Sequence, residues 1–255
     1  MINTYMVAAT AAEETVKITN WNIYSFIIDK YNLGNTETAL YLMLAGVVLC
    51  MFIPYLIGSI NPAIIFSRLF FNDDIREHGS GNAGTTNTLR TYGKRMAVLI
   101  LFLDFLKAVI SVIIGSLILP SQLGGGAIAG IFVILGHSFP VYYNFRGGKG
   151  VACLGGVVLM LSPISFVILI SLFIAIVLMS KFVSLGSVMC VMLWPVIHFA
   201  FYPLEAWTTI ASIVIMIIIV FMHRENIKRL MAGKESKISF GSKKKEKNEG
   251  ENGNA

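Results

Sequence analysis

Long apolar runs separated by short polar stretches fill this chain from about residue 40 to residue 222. The runs cover about 40–66, 96–119, 127–141, 151–161, 164–180, 182–201 and 206–222. Most approach the ~20 helical residues that cross a bilayer, although 127–141 and 151–161 are short for one. Proline interrupts helix hydrogen bonding, so Ser162-Pro163 divides the stretch 151–180 into two runs and permits a turn between them. The pattern predicts an all-α polytopic membrane protein with seven transmembrane helices.

Composition points the same way. Hydrophobic residues make up 56% of the chain and charged residues 13%, with mean hydropathy +0.74. A soluble domain carries about 25% charge. The net charge of +6 could suggest a nucleic-acid partner, but much of it sits in one terminal tail, and no nucleic acid is expected. Cys50, Cys153 and Cys190 lie in apolar runs without CxxC spacing, which argues against a disulfide framework or zinc site and makes them small apolar fillers.

Charge placement gives an orientation. With loop 67–95 facing the cytoplasm, all of the 20 Lys and Arg residues except Lys17, Lys30 and Lys107 fall on the inside. The positive-inside rule then sets the N-terminus out and the C-terminus in. Residues 1–39 form an extracytoplasmic extension of mixed charge without the basic and apolar regions of a cleavable signal peptide. Trp21, Tyr24, Phe26, Ile27 and Tyr31 suit a membrane interface. Residues 40–222 form the membrane domain, with cytoplasmic loops 67–95 and 142–150, and 223–255 form a cytoplasmic motif and basic tail. The run Lys243-Lys244-Lys245 is read as a solvated tail touching anionic lipid heads.

Against this apolar background the stretch 79–90, Gly-Ser-Gly-Asn-Ala-Gly-Thr-Thr-Asn-Thr-Leu-Arg, is unusual. Its glycines allow close backbone approach, and its hydroxyls, amides and guanidinium are donors suited to a compact anion. Gly79-x-Gly81-x-x-Gly84 matches the dinucleotide fingerprint, but an apolar run of transmembrane length enters it where a strand is required. Gly79 and Gly84 have P-loop spacing, yet Thr85 stands where the lysine belongs. The plain alternative is a flexible surface turn.

Seven spans bring two further clusters to the same face: 136–151, and His223-Arg224-Glu225-Asn226-Ile227. Together the three supply the Ser80 hydroxyl, the Arg90 and Lys149 cations, glycine-lined donors at Gly81, Gly84, Gly147, Gly148 and Gly150, an imidazole and an amide. Cations with glycine loops bind phosphates, and a His beside an Asn can move a proton or align a hydroxyl. No acidic cluster has metal-ligand spacing, so metal-free transfer without a cofactor is expected.

These stretches, with Leu103-Asp-Phe-Leu-Lys107, Gly136-His-Ser-Phe-Pro-Val141 and Phe145-Arg-Gly-Gly-Lys-Gly-Val-Ala152, resemble in order and spacing the bacterial acyl-phosphate:glycerol-3-phosphate acyltransferases, the PlsY family. The resemblance covers about residues 45–240. It implies seven helices in the bacterial inner membrane and a cytoplasmic active site. There the sn-1 hydroxyl of glycerol 3-phosphate attacks an acyl phosphate, giving lysophosphatidic acid and phosphate in phospholipid synthesis. Carried over by position, Ser80, Arg90, Lys149, His223 and Asn226 bind glycerol 3-phosphate or take part in the chemistry. Gly81, Asn82, Gly84, Thr86, Asn87, Gly147 and Gly148 fall on phosphate-cradling positions. Membrane lipids and the two substrates are the implied partners, with no obligate protein partner. Arg146, Ala108 and Thr85 depart from the family pattern without removing a chemical group. An acyl phosphate is already activated, so positioning and charge stabilisation suffice and no covalent intermediate is needed. Ser80 is read as a phosphate ligand rather than a nucleophile, and either His223 or the substrate phosphate takes the hydroxyl proton.

Other ionisable residues admit simpler readings. His198 stands alone in an apolar run and reads as structural, and His137 can brace the turn before Pro140. Asp104 and Lys107 are spaced to pair on one helix face, functional or structural. Two rival functions stand beside the main one. A transporter of a phosphorylated metabolite would show paired broken helices in repeated halves, and no repeat is evident. For a thioester-dependent acyltransferase the His-x4-Asp pattern is missing: Ala83, Tyr142, Pro203 and Lys228 lie five residues after the four histidines.

Overall fold

The computed structural model describes residues 22–34 and 36–238, and these contain helices and no strands. Trp21 and the lysines at 243–245 lie outside the described residues. A short helix α1 (Ile23–Tyr31), which carries Tyr24, Phe26, Ile27 and Tyr31, is capped by the Asn22 side chain accepting from Ser25 N. The apolar α2 (Glu37–Ser59) begins at Thr36, whose hydroxyl accepts from Ala39 N. The first span, expected to be continuous over 40–66, is broken. At Asn61 the side chain caps a new helix, α3 (Pro62–Phe71), by accepting from Ile64 N, and Pro62 occupies the first turn, where its missing N–H costs nothing.

Next come α4 (Thr85–Thr91), α5 (Lys94–Ile118), α6 (Gly125–Ser138), α7 (Val151–Leu161), α8 (Pro163–Ser180), α9 (Val183–Phe201), α10 (Ala206–Met222) and α11 (Arg224–Met231). The division at Ser162-Pro163 is present, with Pro163 opening α8. Among the described residues, five helical stretches are long and apolar enough to cross a membrane: Glu37–Phe71, Lys94–Ile118, Gly125–Tyr143, Pro163–Ser180 and Val183–Phe201. A sixth is added if α10 and α11, bent by 61° at His223, count as one. By length and composition the total falls short of the seven expected, because α7 has only 11 residues.

Apolar side chains face both inward and outward. Val112, Val133, Ile134, Val157, Trp194, Ile215 and Ile219 are buried in one core, while Phe52, Phe102, Val167, Ile217 and other large hydrophobics remain exposed. A bundle greasy on its outside suits a lipid solvent. Inside, α2 and α6 pack backbone to backbone: a Cβ on Gly136 would lie 2.2 Å from the carbonyl oxygen of Tyr55. That contact is possible only with glycine, and it holds the end of α6 against the break that leads into the 72–84 loop.

Candidate active site

The glycine loop is built by its own side chains. Asn87, buried on α4, donates to the carbonyls of Ile75 (3.0 Å) and His78 (2.9 Å) and accepts from Ser80 N (3.0 Å). Its amide is thus committed to shaping the loop that presents Ser80. Asn61 Nδ2 donates to Ala83 O at 3.3 Å, tying the same loop to the break between α2 and α3. Arg76 binds Asp74 through Nε and Nη2 and holds its carboxyl below the usual carboxylate range. Arg76 also donates from Nη1 to the carbonyls of Tyr143 (2.9 Å) and Arg146 (3.3 Å), locking the 72–84 loop onto the 141–150 loop.

In the second loop, Gly147 N donates to Ser138 O (3.2 Å) and Gly148 N to His137 O (3.1 Å). A Cβ at these positions would come within 2.0 Å of His137 O and 2.1 Å of His137 Nε2 respectively. The Gly147-Gly148 turn, expected to cradle phosphate, therefore directs its N–H groups to α6, and its glycines permit close packing that aims Lys149 inward. Gly81 N likewise donates within its loop, to His78 O.

Below this turn lies a buried charged group. Lys107 Nζ is 2.8 Å from Asp104 Oδ1 and 3.0 Å from His137 Nδ1, and it donates to Gly58 O (3.0 Å) and Ile60 O (2.8 Å) at the end of α2. The spacing of Asp104 and Lys107 anticipates their pairing. His137, thirty residues away from Lys107, joins them only through the packing of α5 on α6. Asp104, His137 and Cys153 lie close enough to share an ion, but the Lys107 ammonium already sits against two of them and repels one.

All of this surrounds one cavity of about 1020 Å³. Its wall includes Ser80, Asn82, Gly84, Thr86, Asn87, Arg90, Lys149, His223 and Asn226, and omits Gly81, Gly147 and Gly148. Lys149 Nζ donates to Asn226 Oδ1. Burial, with Arg229 and Arg90 nearby, pushes the Lys149 ammonium down to about 8, against the opposing pull of Glu235. Burial also pushes the His223 imidazole down to about 4, against the Ile219 carbonyl bond and with Lys149 adding to the fall.

Sequence reasoning missed Glu235, Arg229 and Ser184, which share this cavity, and the apolar wall of Phe173, Ile174, Val177 and Leu178. The segment after α11 carries no cue of its own beyond polarity. It reaches the cavity through long-range contacts: Arg90 Nη2 to Ser236 O (3.3 Å) and Ile238 N to Lys181 O (2.8 Å). His198 lies outside this cavity, with Nδ1 2.7 Å from Ser162 Oγ at the start of α8.

A helical bundle with a greasy exterior, whose cavity lining brings cations, an imidazole and amides together with apolar side chains, defines a membrane protein with an amphipathic, anion-suited site. The family model for glycerol-3-phosphate acyltransferase matches residues 48–233. The glycerol-3-phosphate acyltransferase of Thermoanaerobacter sp. (strain X514) is 43% identical over 191 residues, covering 75% of this chain and 95% of that protein. That of Finegoldia magna is 40% identical over 199 residues, covering 78% and 97%. The crystal structure of PlsY (YgiH), an integral membrane glycerol 3-phosphate acyltransferase, in its glycerol 3-phosphate form matches with TM-score 0.71 and 35% identity, over 76% of this chain and 96% of that one. Its lysophosphatidic acid form gives 0.68 and 34%, over 77% and 95%. The chain belongs to the glycerol-3-phosphate acyltransferase family of integral membrane enzymes.

Proposed function

We propose that this acyltransferase takes its acyl group from an acyl phosphate and works at the cytoplasmic face of a bacterial inner membrane. The sn-1 oxygen of glycerol 3-phosphate attacks the acyl carbonyl, a C–O ester bond forms, the bond to the phosphate oxygen breaks, and lysophosphatidic acid and phosphate leave. The observation that carries this reading is one cavity whose lining combines Ser80, Arg90, Lys149 and His223 with Phe173, Ile174 and Val177. The polar groups fit phosphate, and the apolar side chains fit an acyl chain.

Each residue has a task in that reaction. Arg90 and Lys149 bind the phosphate groups, Ser80 adds a hydroxyl donor, and Asn87 holds Ser80 in place. His223 accepts the hydrogen bond of the attacking hydroxyl and orients it. With its pKa at about 4, it is a weaker base than a phosphate dianion, so the proton leaves with phosphate. Ser80 is read as a ligand rather than the nucleophile: His223 Nδ1 is engaged by the Ile219 carbonyl, which leaves that nitrogen no carboxylate partner among the described residues.

Seven crossings with the N-terminus out follow if α7 and α10 each cross once. Support comes from Lys149 and Lys181, which flank the α7–α8 pair: the first lines the cavity, and the second accepts from Ile238 in the segment that runs along it. An even number of crossings between them keeps both on one side, where the positive-inside rule favours the cytoplasm. The test is direct. Purified protein receives glycerol 3-phosphate with acyl phosphate or, separately, acyl-CoA, and lysophosphatidic acid is measured. Product from acyl phosphate is expected. Its absence from a folded sample, or product from acyl-CoA alone, overturns the donor assignment.

A further inference from the structure

A cavity that binds phosphate also holds a carboxylate, Glu235, and the geometry explains why. The side chain is 6% exposed. Its Oε1 accepts from Ser184 Oγ (2.9 Å) and Asn226 Nδ2 (2.7 Å), and its Oε2 accepts from Arg229 Nε (2.8 Å). These bonds fix the sense of the Asn226 amide. With Nδ2 turned to the carboxylate, Oδ1 faces Lys149 and accepts from its ammonium. The opposite amide orientation would set N–H groups against an ammonium and an oxygen against a carboxylate, both repulsive. The charged groups acting on Lys149 are Arg90 from α4, Arg229 from α11, and Glu235, while His223 at the end of α10, itself lowered by Lys149, stays neutral beside it. Glu235 supplies the negative charge among them.

We propose that Glu235 is a positioning residue for the transfer site: through Asn226 it aligns Lys149, and its carboxylate keeps that lysine charged until a substrate phosphate replaces it as counter-ion. The inference rests on the reading of this cavity as the substrate-phosphate site. Burial, Arg229 and Arg90 all favour a neutral Lys149, and Glu235 opposes them. Without the carboxylate charge, a larger share of the enzyme at neutral pH would meet its anionic substrate with an uncharged amine.

The test reads Lys149 itself. Full-length protein in detergent is treated with an amine-acylating reagent across a pH series, and labelling of Lys149 is followed by peptide mass spectrometry. Glu235→Gln is expected to move the Lys149 titration down by about half a unit to one unit, and Glu235→Asp to leave it nearly in place. In turnover, the alkaline limb of kcat/KM for glycerol 3-phosphate moves down with Glu235→Gln. An unmoved titration in folded Glu235→Gln, or an equal shift in Glu235→Asp, overturns the proposal. Arg229→Gln removes a cation from the same group and is expected to move the titration up. Should Glu235→Gln fail to fold, the absence of that upward shift is the contrary result. Labelling needs no acyl donor, so a wild-type enzyme inactive with acyl phosphate would sink the functional reading and leave this measurement standing.

Discussion

His223 Nδ1 lies 2.8 Å from the carbonyl oxygen of Ile219, one turn back on α10. A carbonyl only accepts, so Nδ1 carries the hydrogen and Nε2 keeps its lone pair. Burial lowers the ring to about 4, so the accepting form is present above that pH and is lost as pH falls through it. We expect turnover to show no His223-linked decline between pH 8 and about pH 5, and His223→Ala to lower kcat by ~10²–10⁴. A pH–rate profile with an acid limb near 6.5 that vanishes in His223→Ala would refute this assignment.

Lys149 gives the opposite limb. Its pKa is lowered to about 8, so the charged, anion-binding form predominates below that pH and is lost above it. KM for glycerol 3-phosphate is expected to rise about tenfold per pH unit beyond this point. The kcat limb should lie at higher pH, because bound phosphate favours the ammonium. Lys149→Ala should cut kcat/KM by ~10²-fold or more, measurable by steady-state kinetics on detergent-solubilised enzyme.

Gly148 tests the packing role of its turn. A Cβ there would lie 2.1 Å from His137 Nε2 and 2.8 Å from Ala83 O, one of them backbone. Gly148→Ala is expected to displace the turn, with a cost of about 1–3 kcal/mol and a lower unfolding temperature. Unchanged thermal unfolding together with unchanged KM would contradict the close contact.

Lys107 tests the buried charged group. Lys107→Met leaves Asp104 buried without its ammonium partner, and breaking such a pair costs about 3–5 kcal/mol. We expect low yield of folded protein and a clear drop in thermal stability, with Lys107→Arg less damaging. Fluorescence-detected size exclusion with a temperature ramp measures both.

His198→Ala separates the two ends of the bundle. The ring sits outside the cavity, bonded to Ser162 at the start of α8. Turnover should stay within about threefold of wild type, while thermal stability falls by the ~1 kcal/mol of a lost buried hydrogen bond. A loss of activity equal to that of His223→Ala would contradict the location of the site.

Much of the architecture was legible in the sequence because its causes are local. Apolar runs give helices, Pro163 ends one run and starts the next, and the Asp104–Lys107 spacing pairs the two on α5. The polar motifs could be gathered at one face because charge bias follows from the order of residues. What stayed hidden depends on contacts between distant segments. Asn61 and Pro62 were visible, but that they stop one helix and start another depends on Asn61 capping Ile64 and reaching Ala83. Gly147 and Gly148 look like anion-binding glycines until the carbonyls of Ser138 and His137 are seen to take their N–H groups. Glu235 carries no motif cue, and its place in the cavity is visible only once α9 and α11 have packed around it.

The bond from Arg76 to Tyr143 and Arg146 joins residues 67 and 70 positions apart, Lys149 and Asn226 are 77 apart, and Arg90 and Ser236 are 146 apart. A chain inserted from its N-terminus as it is synthesised therefore lacks a working centre for nearly all of its time on the ribosome. The cavity is completed only when α11 and the residues after it have emerged, so a chain stopped before Asn226 lacks the group to which Lys149 donates and the segment that Arg90 holds.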